Sequence, residues 1–356
     1  MKRLSIIANC FSMFAALALL GACGGDKRPD TVYISGTIYT GNPEQPVVEA
    51  VGTIKSRIVY VGDADGIVGG TRPTTKLVDL SGKTMYPGFI NTNAHSLVDG
   101  VDDEAGTQIE ASVIEYAKQG WTTIHAHNVN PENVRIMEDL AMQGNLPTRV
   151  YNVLNEAGFE SLSIYGPGVS PGGLVETRSV LLDLTKPLTK FASTEEVPTI
   201  ESVLEAALKN HVQLVIQGEG DELDTFLNKA EIAMKDALPD ADPRWALLRD
   251  GELSAELKGR LLALGIQERS GSQPIQPAAA LLDKLEQLTT LPAYIGFRED
   301  QIGSIEVGKM ADFTIMSGDL LLAEGEDLQA VKPVMTIVGG AQAWPRPEKK
   351  LPVFGQ

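Results

Sequence analysis

The stretch Pro87-Gly88-Phe89-Ile90-Asn91-Thr92-Asn93-Ala94-His95-Ser96 decides the fold, and the other segments of the chain are interpreted around it. Side chains two positions apart on a strand point the same way, so Asn93 and His95 share one face. Imidazole is a good zinc ligand, whereas a neutral amide is a far poorer one. The stretch therefore predicts a strand on which His95 is a candidate zinc ligand and Asn93 is a poor one.

Both ends of the chain are rich in short β-like segments. Those near the amino end cover 31–40, 47–54, 57–62 and 76–80, and those near the carboxyl end cover 311–316 and 334–340. Their composition and the turn signals between them predict strands. We expect the two ends to pair and to form one small β-sandwich domain from residues 31–87 and 303–345.

Residues 88–302 alternate between strand-like and helix-like segments, as a βα fold does. Strands are predicted near 88–95, 121–127, 147–154, 161–166, 212–217, 244–249, 262–267 and 270–273, and helices near 104–119, 131–143, 199–210, 221–236, 251–261 and 276–289. A complete barrel takes about 250 residues, and roughly 210 are present here. We predict an α/β fold in which a trimmed or incomplete (β/α) TIM-like barrel adjoins the sandwich.

Three blocks occur in the order of a known family: 37–40 with 57–62 (Thr-Ile-Tyr-Thr and Arg-Ile-Val-Tyr-Val-Gly), the stretch 87–95, and 302–312 (Ile-Gly-Ser-Ile-Glu-Val-Gly-Lys-Met-Ala-Asp). On these blocks the chain resembles the amidohydrolase superfamily, in the branch of N-substituted formamide deformylase-like amidohydrolases. The resemblance implies a metal-dependent hydrolase of carbon–nitrogen bonds other than peptide bonds. It also implies zinc or another divalent metal, which polarises the scissile carbonyl and activates a water.

The same resemblance indicates that several site residues of the family are replaced. The family's first histidine falls on Asn93, and two further ligand histidines fall on Gln217 and Arg249. The aspartate that takes the proton of the water falls on Gln273, whose amide cannot accept it. The resemblance therefore implies family positions that are vacated at these four residues.

Few matched positions keep the family's residue. His95 remains as a metal ligand and Asp221 as the acid behind the ligands, while the family's bridging lysine falls on Ser163. Asp221 and the neighbouring Glu219 are the candidate catalytic bases. The resemblance thus implies a metal site that is eroded or relocated.

Two other histidines offer a relocated site. His125 and His127 end the predicted strand 121–127, and strand alternation puts both rings on one face. If the neighbouring strand presents His95 on the same side, three imidazoles would hold zinc and leave an open position. The alternative is that both are hydrogen-bonded polar residues that end a strand without metal.

The first 22 residues have the composition of a bacterial lipoprotein signal peptide. Two basic residues precede an apolar run over 4–20, which closes on Leu20-Gly21-Ala22-Cys23. The run is short for a bilayer span of about 20 residues, although an ordinary secretory signal or a membrane helix is the alternative. We predict a signal at 1–22, lipidation of Cys23 and a tether over 23–30. Glycine rather than aspartate follows Cys23, which resembles the default signal for sorting to the outer membrane. We therefore predict a cell-envelope location on the outer membrane, facing the periplasm.

The chain is acidic, with a formal net charge of -17. Loss of the two basic residues of the signal takes the mature chain to about -19. Such a balance argues against nucleic acid as a partner. The expected partners are a small-molecule substrate or ligand, and the membrane through the lipid at Cys23.

Three hypotheses remain open at this point. The first is a metal-dependent hydrolase that uses His95, His125 and His127. The second is a catalytically inactive envelope lipoprotein with a binding or scaffold role, in which the vacated positions mark a former site. The third is a poorly folding fragment, for which broad, non-cooperative unfolding would be the sign.

Overall fold

A computed structural model describes residues 28–68, 70–94, 97–98, 100–188, 198–236, 242–249, 252–270, 281–323 and 325–347. The strands are β1 (Thr31–Tyr39), β2 (Val47–Ile54), β3 (Arg57–Gly62), β4 (Lys76–Asp79), β5 (Thr84–Pro87), β6 (Phe89–Ala94), β7 (Trp121–Val129), β8 (Arg149–Leu154), β9 (Gly168–Val169), β10 (Val175–Asp183), β11 (Gln213–Gln217), β12 (Ala246–Arg249), β13 (Gln267–Ser270), β14 (Phe313–Met316), β15 (Pro333–Val338) and β16 (Ala341–Trp344). The helices are α1 (Ala64–Val68), α2 (Ala105–Lys118), α3 (Pro131–Met142), α4 (Gly158–Tyr165), α5 (Ile200–Lys209), α6 (Gly220–Asp236), α7 (Ala255–Ala263), α8 (Leu281–Leu288), α9 (Thr290–Ile295) and α10 (Gly325–Ala330). Within these ranges, no helix has the length and apolar character that a membrane crossing requires.

The two ends of the described chain meet in one sheet. Its strand order is β16-β15-β14-β5-β1-β2-β3, and β4 pairs with β1. The ends are joined by the antiparallel pair β5 and β14, in which Tyr86 lies opposite Thr314. Tyr33 and Phe313 pack edge-to-face in its core, with ring centroids 5.2 Å apart. The predicted association of the amino-terminal and carboxyl-terminal segments is confirmed.

The middle of the chain forms a parallel sheet that curls into a nearly closed barrel. Its order is β13-β12-β11-β10-β8-β7-β6, with the short β9 antiparallel to β10. The first and last of these seven strands, β6 and β13, lie side by side, but no described ladder joins them. The prediction of a trimmed (β/α) barrel is therefore confirmed.

Alternate side chains of the barrel strands pack on opposite sides of the sheet. The outward ones join the helices in the largest apolar cluster, which includes Ile124, Val150, Leu182, Leu214 and Leu247. The inward ones form a smaller group, here called the inner cluster: Tyr151, Val153, Leu181, Val215 and Leu248. Membership of one cluster or the other tells which side of the barrel wall a residue faces.

Two predicted strands of the barrel are wrong. Residues 161–165 belong instead to helix α4 and Gly166 follows its end, because Phe159 and Leu162 lie on one helical face and are buried together. Ser163 therefore lies on a helix and ends no barrel strand. The strand predicted at 262–267 is displaced, since 262–263 close helix α7 and β13 begins at Gln267. Residues 271–273 of the last predicted strand lie outside the described ranges.

The sequence prediction also omits strand β10. Its first half reads Val175-Glu176-Thr177-Arg178-Ser179 and lacks an apolar pattern. These polar side chains meet polar partners, since Glu176 lies 3.6 Å from Arg178 and 3.4 Å from Arg298. Ser179 Oγ donates to Gln213 Oε1 at 2.5 Å. The interior of the barrel is polar at this level, so hydrophobic periodicity fails to predict the strand.

Gly88 sets the spacing between the first two barrel strands. A Cβ added at Gly88 would lie 2.2 Å from Thr122 Oγ1, which is shorter than any real contact. The Gly88 N–H donates to the backbone carbonyl of Asp312 at 2.9 Å. Glycine is therefore required here for close approach of the backbone, and it ties the start of the barrel to the other sheet.

A buried ion pair joins the barrel to the sheet of the chain ends. Arg149, at the start of β8, donates through Nε and Nη2 to both carboxylate oxygens of Asp312, at 2.6 and 3.0 Å. The Gly339 N–H donates to the same carboxylate at 2.6 Å. Both charged side chains are 4% exposed. Bidentate geometry and additional hydrogen bonds are the conditions under which a buried pair is favourable.

We predict that Asp312→Asn lowers the free energy of unfolding by about 3–5 kcal/mol, because Arg149 would keep its buried charge without a partner. Urea unfolding at neutral pH measures the change. The matched control is Asp224→Asn, which breaks an exposed pair with Arg260 and should cost less than about 1 kcal/mol. Equal losses in the two variants would contradict the joining role of the buried pair.

Candidate functional site

The carboxyl ends of the barrel strands meet at one end of the barrel, here called the mouth. His127 is the buried imidazole of this region, and its Nε2 lies 2.7 Å from the Thr92 carbonyl oxygen of the neighbouring strand β6. A carbonyl only accepts hydrogen bonds, so Nε2 carries the proton. Asn93 follows Thr92 near the end of β6 and is half-buried, where the pairing of β6 with β7 is irregular between Asn91 and Ala94.

Gln217 and Asp183 lie opposite each other at the ends of β11 and β10. Two positions earlier, Val215 and Leu181 both belong to the inner cluster, so alternation turns Gln217 and Asp183 inward as well. Asp183 Oδ1 accepts from Thr185 Oγ1 at 2.7 Å, and Asp183 forms an ion pair of 2.9 Å with Lys186. Burial opposes ionisation, but these hydrogen bonds prevail and lower the pKa of Asp183. The mouth therefore holds an ionised carboxylate at neutral pH.

Sequence reasoning missed Asp183 because it missed the whole of β10. The run Val180-Leu181-Leu182 before it is the signal that could have identified the residue, since an apolar run that ends in a carboxylate is typical of a strand leading to a site.

Other predicted site residues lie farther from the mouth's interior. Arg249 follows Leu248, a member of the inner cluster, so alternation directs Arg249 to the outer side of β12. Asp221 is exposed in the first turn of helix α6, and Glu219 is exposed just before that helix. The structure thus brings His127, Asn93 and Gln217 to one end of the barrel. Arg249, Asp221 and Glu219 do not point into that end.

His125 lies deeper in the barrel than His127 and is only 2% exposed. Its ring stacks on Tyr151, with centroids 4.6 Å apart. A Cβ added at Gly296, beyond helix α9, would lie 3.4 Å from its Cε1 and Nε2, so the ring is packed against that glycine. Burial first, and then the charges of Arg269 and His127, lower the pKa of His125 well below 6.5. The ring is neutral and has a permanent cation as a neighbour.

The described residues do not fit the zinc site that the resemblance implies. Among them, no group of three His, Cys, Asp or Glu side chains could hold a metal ion. The mouth offers one imidazole whose Nε2 is occupied, two neutral amides and a carboxylate paired with lysine. A cation bound at His125 would also meet the charge of Arg269. His95, Gln273 and Cys23 lie outside the described residues, and the three-histidine site stays a prediction.

The lowered pKa of His125 gives a test by pH. The unfolded chain binds a proton at this residue more readily than the folded chain, so stability should fall as the pH drops below about 6.5. We expect a loss of about 1 kcal/mol between pH 7.5 and 5.5 in urea unfolding, and His125→Gln should remove that part of the slope. The raised pKa of Glu176, caused by burial, has the opposite sign and cannot mimic it.

The control for this test is His211→Gln, which changes an exposed histidine after helix α5 and should keep the wild-type slope. If the free energy of unfolding depends on pH equally in the wild type and in His125→Gln, the burial of a neutral imidazole is contradicted.

Comparison with known proteins agrees with this architecture. The sequence model described as "Amidohydrolase family" matches residues 277–343. The exoenzymes regulatory protein AepA of Pectobacterium carotovorum subsp. carotovorum is 46% identical over 65 residues, which are 18% of this chain and 14% of that protein. The chain thus matches only a small part of this curated relative.

Solved structures share the fold over most of the chain. An uncharacterized metal-dependent hydrolase from Pyrococcus horikoshii OT3 has a TM-score of 0.62 at 15% identity, covering 82% of this chain and 98% of that one. Molinate hydrolase has a TM-score of 0.60 at 15% identity, with 91% and 99% covered. An adenosine deaminase from Xanthomonas campestris, with bound zinc, has a TM-score of 0.62 at 14% identity, with 88% and 92% covered.

The family's sequence is thus recognisable in the carboxyl-terminal segment, and the fold of metal-dependent hydrolases extends over most of the chain. This chain is similar to amidohydrolases in the sequence of that segment and in its fold.

Proposed function

We propose that this protein binds small amides at the mouth of its barrel without hydrolysing them through zinc. One observation carries the proposal: the neutral amides Asn93 and Gln217, the carboxylate Asp183 and the imidazole of His127 lie near the carboxyl ends of four barrel strands, β6, β11, β10 and β7. Carboxyl ends of parallel barrel strands are where ligands bind in such folds.

The chemistry of the mouth suits hydrogen bonding better than catalysis. Asn93 and Gln217 each offer a donor and an acceptor, which complement the carbonyl and N–H of a small amide. Asp183 is ionised and accepts charge-assisted hydrogen bonds, which are stronger than neutral ones. Binding of a neutral amide therefore needs no metal at these residues.

A second candidate is a metal-dependent hydrolase of carbon–nitrogen bonds other than peptide bonds. It is favoured by the fold shared with metal-dependent hydrolases, and by His127, which is hydrogen-bonded to Thr92, three residues before His95. It would use His95, His125 and His127 for zinc or another divalent metal, with Asp221 or Glu219 as base. The position of His125 beside Arg269 weighs against it.

The binding proposal predicts saturable binding of N-benzylformamide to the purified chain, with no release of benzylamine. Calorimetry measures the affinity, and amine detection on the same sample measures turnover. Asp183→Asn should weaken binding roughly 10-fold or more, because a charge-assisted hydrogen bond is lost. The exposed Asp221→Asn is the matched control and should bind as the wild type does. Steady amine release by the wild type would contradict the proposal.

Metal content separates the two candidates. We expect the purified chain to contain no stoichiometric zinc by elemental analysis, and to take up none when zinc is supplied. About one zinc per chain that is lost in His95→Ala and His127→Ala, but kept in His211→Ala, would favour the hydrolase instead.

We also propose that the protein is anchored in the cell envelope through a lipid on Cys23, facing the periplasm from the outer membrane. The apolar run and the small residues before Cys23 support this, and Cys23 lies outside the described residues. Cys23→Ala is expected to move the protein from the membrane fraction to the soluble periplasmic fraction. Fractionation with immunoblotting measures this, and an unchanged membrane fraction would contradict the lipid anchor.

A further inference from the structure

Arg269 lies inside the barrel and is 0% exposed. Its Nη2 donates to Gln213 Oε1 at 3.0 Å, and its guanidinium carbon lies 5.8 Å from the centroid of the Tyr151 ring. Its Nε and Nη1 are buried and have no hydrogen-bond partner within the part of the chain that the structure describes. Most buried polar groups in folded proteins are satisfied, so two orphaned N–H groups on one buried cation require an explanation.

The charges around Arg269 do not balance. Among the described residues, the ion pairs at the amino-terminal end of the barrel join Arg149 to Asp312, Arg178 and Arg298 to Glu176, and Arg244 to Asp242 and Glu299. Arg269 takes part in none of them. Arg269 is left without an anion, in a chain whose overall charge is -17.

Burying the charge of Arg269 is energetically unfavourable, and Arg269 does not lose its proton at neutral pH. Burial lowers the pKa of Arg269 to about 10, with Tyr151 opposing the shift, so the guanidinium stays charged at neutral pH. An isolated buried ion costs several kcal/mol even after relaxation of its surroundings. The neighbouring His125 is neutral, and its buried Nδ1 has no hydrogen-bond partner among the described residues, so His125 supplies no negative charge.

The gap in the barrel wall lies beside the strand that carries Arg269. Arg269 belongs to β13, which is paired with β12 on one side and has no described ladder to β6 on the other. A cavity whose lining includes Tyr151 and His125 lies nearby. Both of these residues are also neighbours of Arg269, so this cation lies beside the gap between β13 and β6 and one residue away from a cavity.

We propose that the barrel interior binds one compact monovalent anion, a halide or a carboxylate the size of formate, through the Nε–H and Nη1–H of Arg269. A guanidinium presents these two donors in a fixed fork, which suits a single small anion. The site lies below the mouth and is independent of amide binding there. It would act as an internal counter-ion that stabilises the fold.

The test is thermal unfolding of the full chain at constant ionic strength, with sodium gluconate replaced stepwise by sodium chloride or by sodium formate. Gluconate is too large for a site inside the barrel. A ligand that binds only the folded state raises the unfolding temperature with its concentration, and we expect a rise of about 5 °C at saturation. Arg269→Met should abolish the rise, while Arg260→Met, which removes an exposed arginine, should keep it.

The outcomes are distinct. A rise with chloride alone identifies a halide site, and a rise with formate alone identifies a carboxylate site. No rise above gluconate with either anion, or an equal rise in Arg269→Met, overturns the proposal. If Arg269→Met does not fold, the anion that gave the rise is located in wild-type crystals, a halide as bromide by anomalous diffraction and formate by its electron density: a peak within hydrogen-bond distance of Arg269 Nε supports the site, and its absence overturns it.

Discussion

The strands of the barrel are held together by the hydrogen bonds of the Gln213 side chain. Its Oε1 accepts from Tyr151 of β8 at 2.9 Å, from Ser179 of β10 at 2.5 Å and from Arg269 of β13 at 3.0 Å. Its Nε2 donates to the carbonyl oxygens of Arg244 and of Ile295, in helix α9, at 2.5 and 2.9 Å. A barrel whose first and last strands share no described ladder must be held from within, and one carboxamide links four of its elements. Removal of either half of that amide would leave several buried groups unsatisfied at once.

Buried charged groups lie at the opposite end of this barrel from the end where enzymes of this fold have them. Enzymes of this architecture concentrate charged groups at the carboxyl ends of the strands, whereas the opposite end normally serves stability. Here the buried charges Arg149, Glu176 and Arg298 lie at the amino-terminal end, and Arg269 fills the interior. The mouth keeps mainly neutral amides. The paired charges Arg149–Asp312 and Arg298–Glu176 thus hold the barrel together and fix it on the neighbouring sheet.

Sequence patterns predicted the parts of this fold in which burial and periodicity agree. The strands of the two chain ends and the order of the outer segments follow from alternation and turn residues, and the structure pairs them as expected. Strand β10 escaped prediction because its inward residues are polar, and Asp183 was missed with it. Alternation correctly puts His125 and His127 on one side of β7, but it cannot tell that a stacked Tyr151 encloses one ring. Likewise, a motif match chose Arg249, while the packing of Leu248 turns Arg249 outward.

Gly88 gives the opening motif a second meaning. The glycine is fixed by the lack of space beside Thr122, whereas Asn93, a few residues later, is half-buried near the end of the strand. The two halves of the motif are therefore under different constraints. The first half, with Gly88, is required by the close packing of two strands, whereas the second half, with Asn93, determines the chemistry at the mouth. A chain can lose the chemical half and still be recognised by the steric half. Similarity over such a motif consequently measures shared architecture more reliably than shared reactivity.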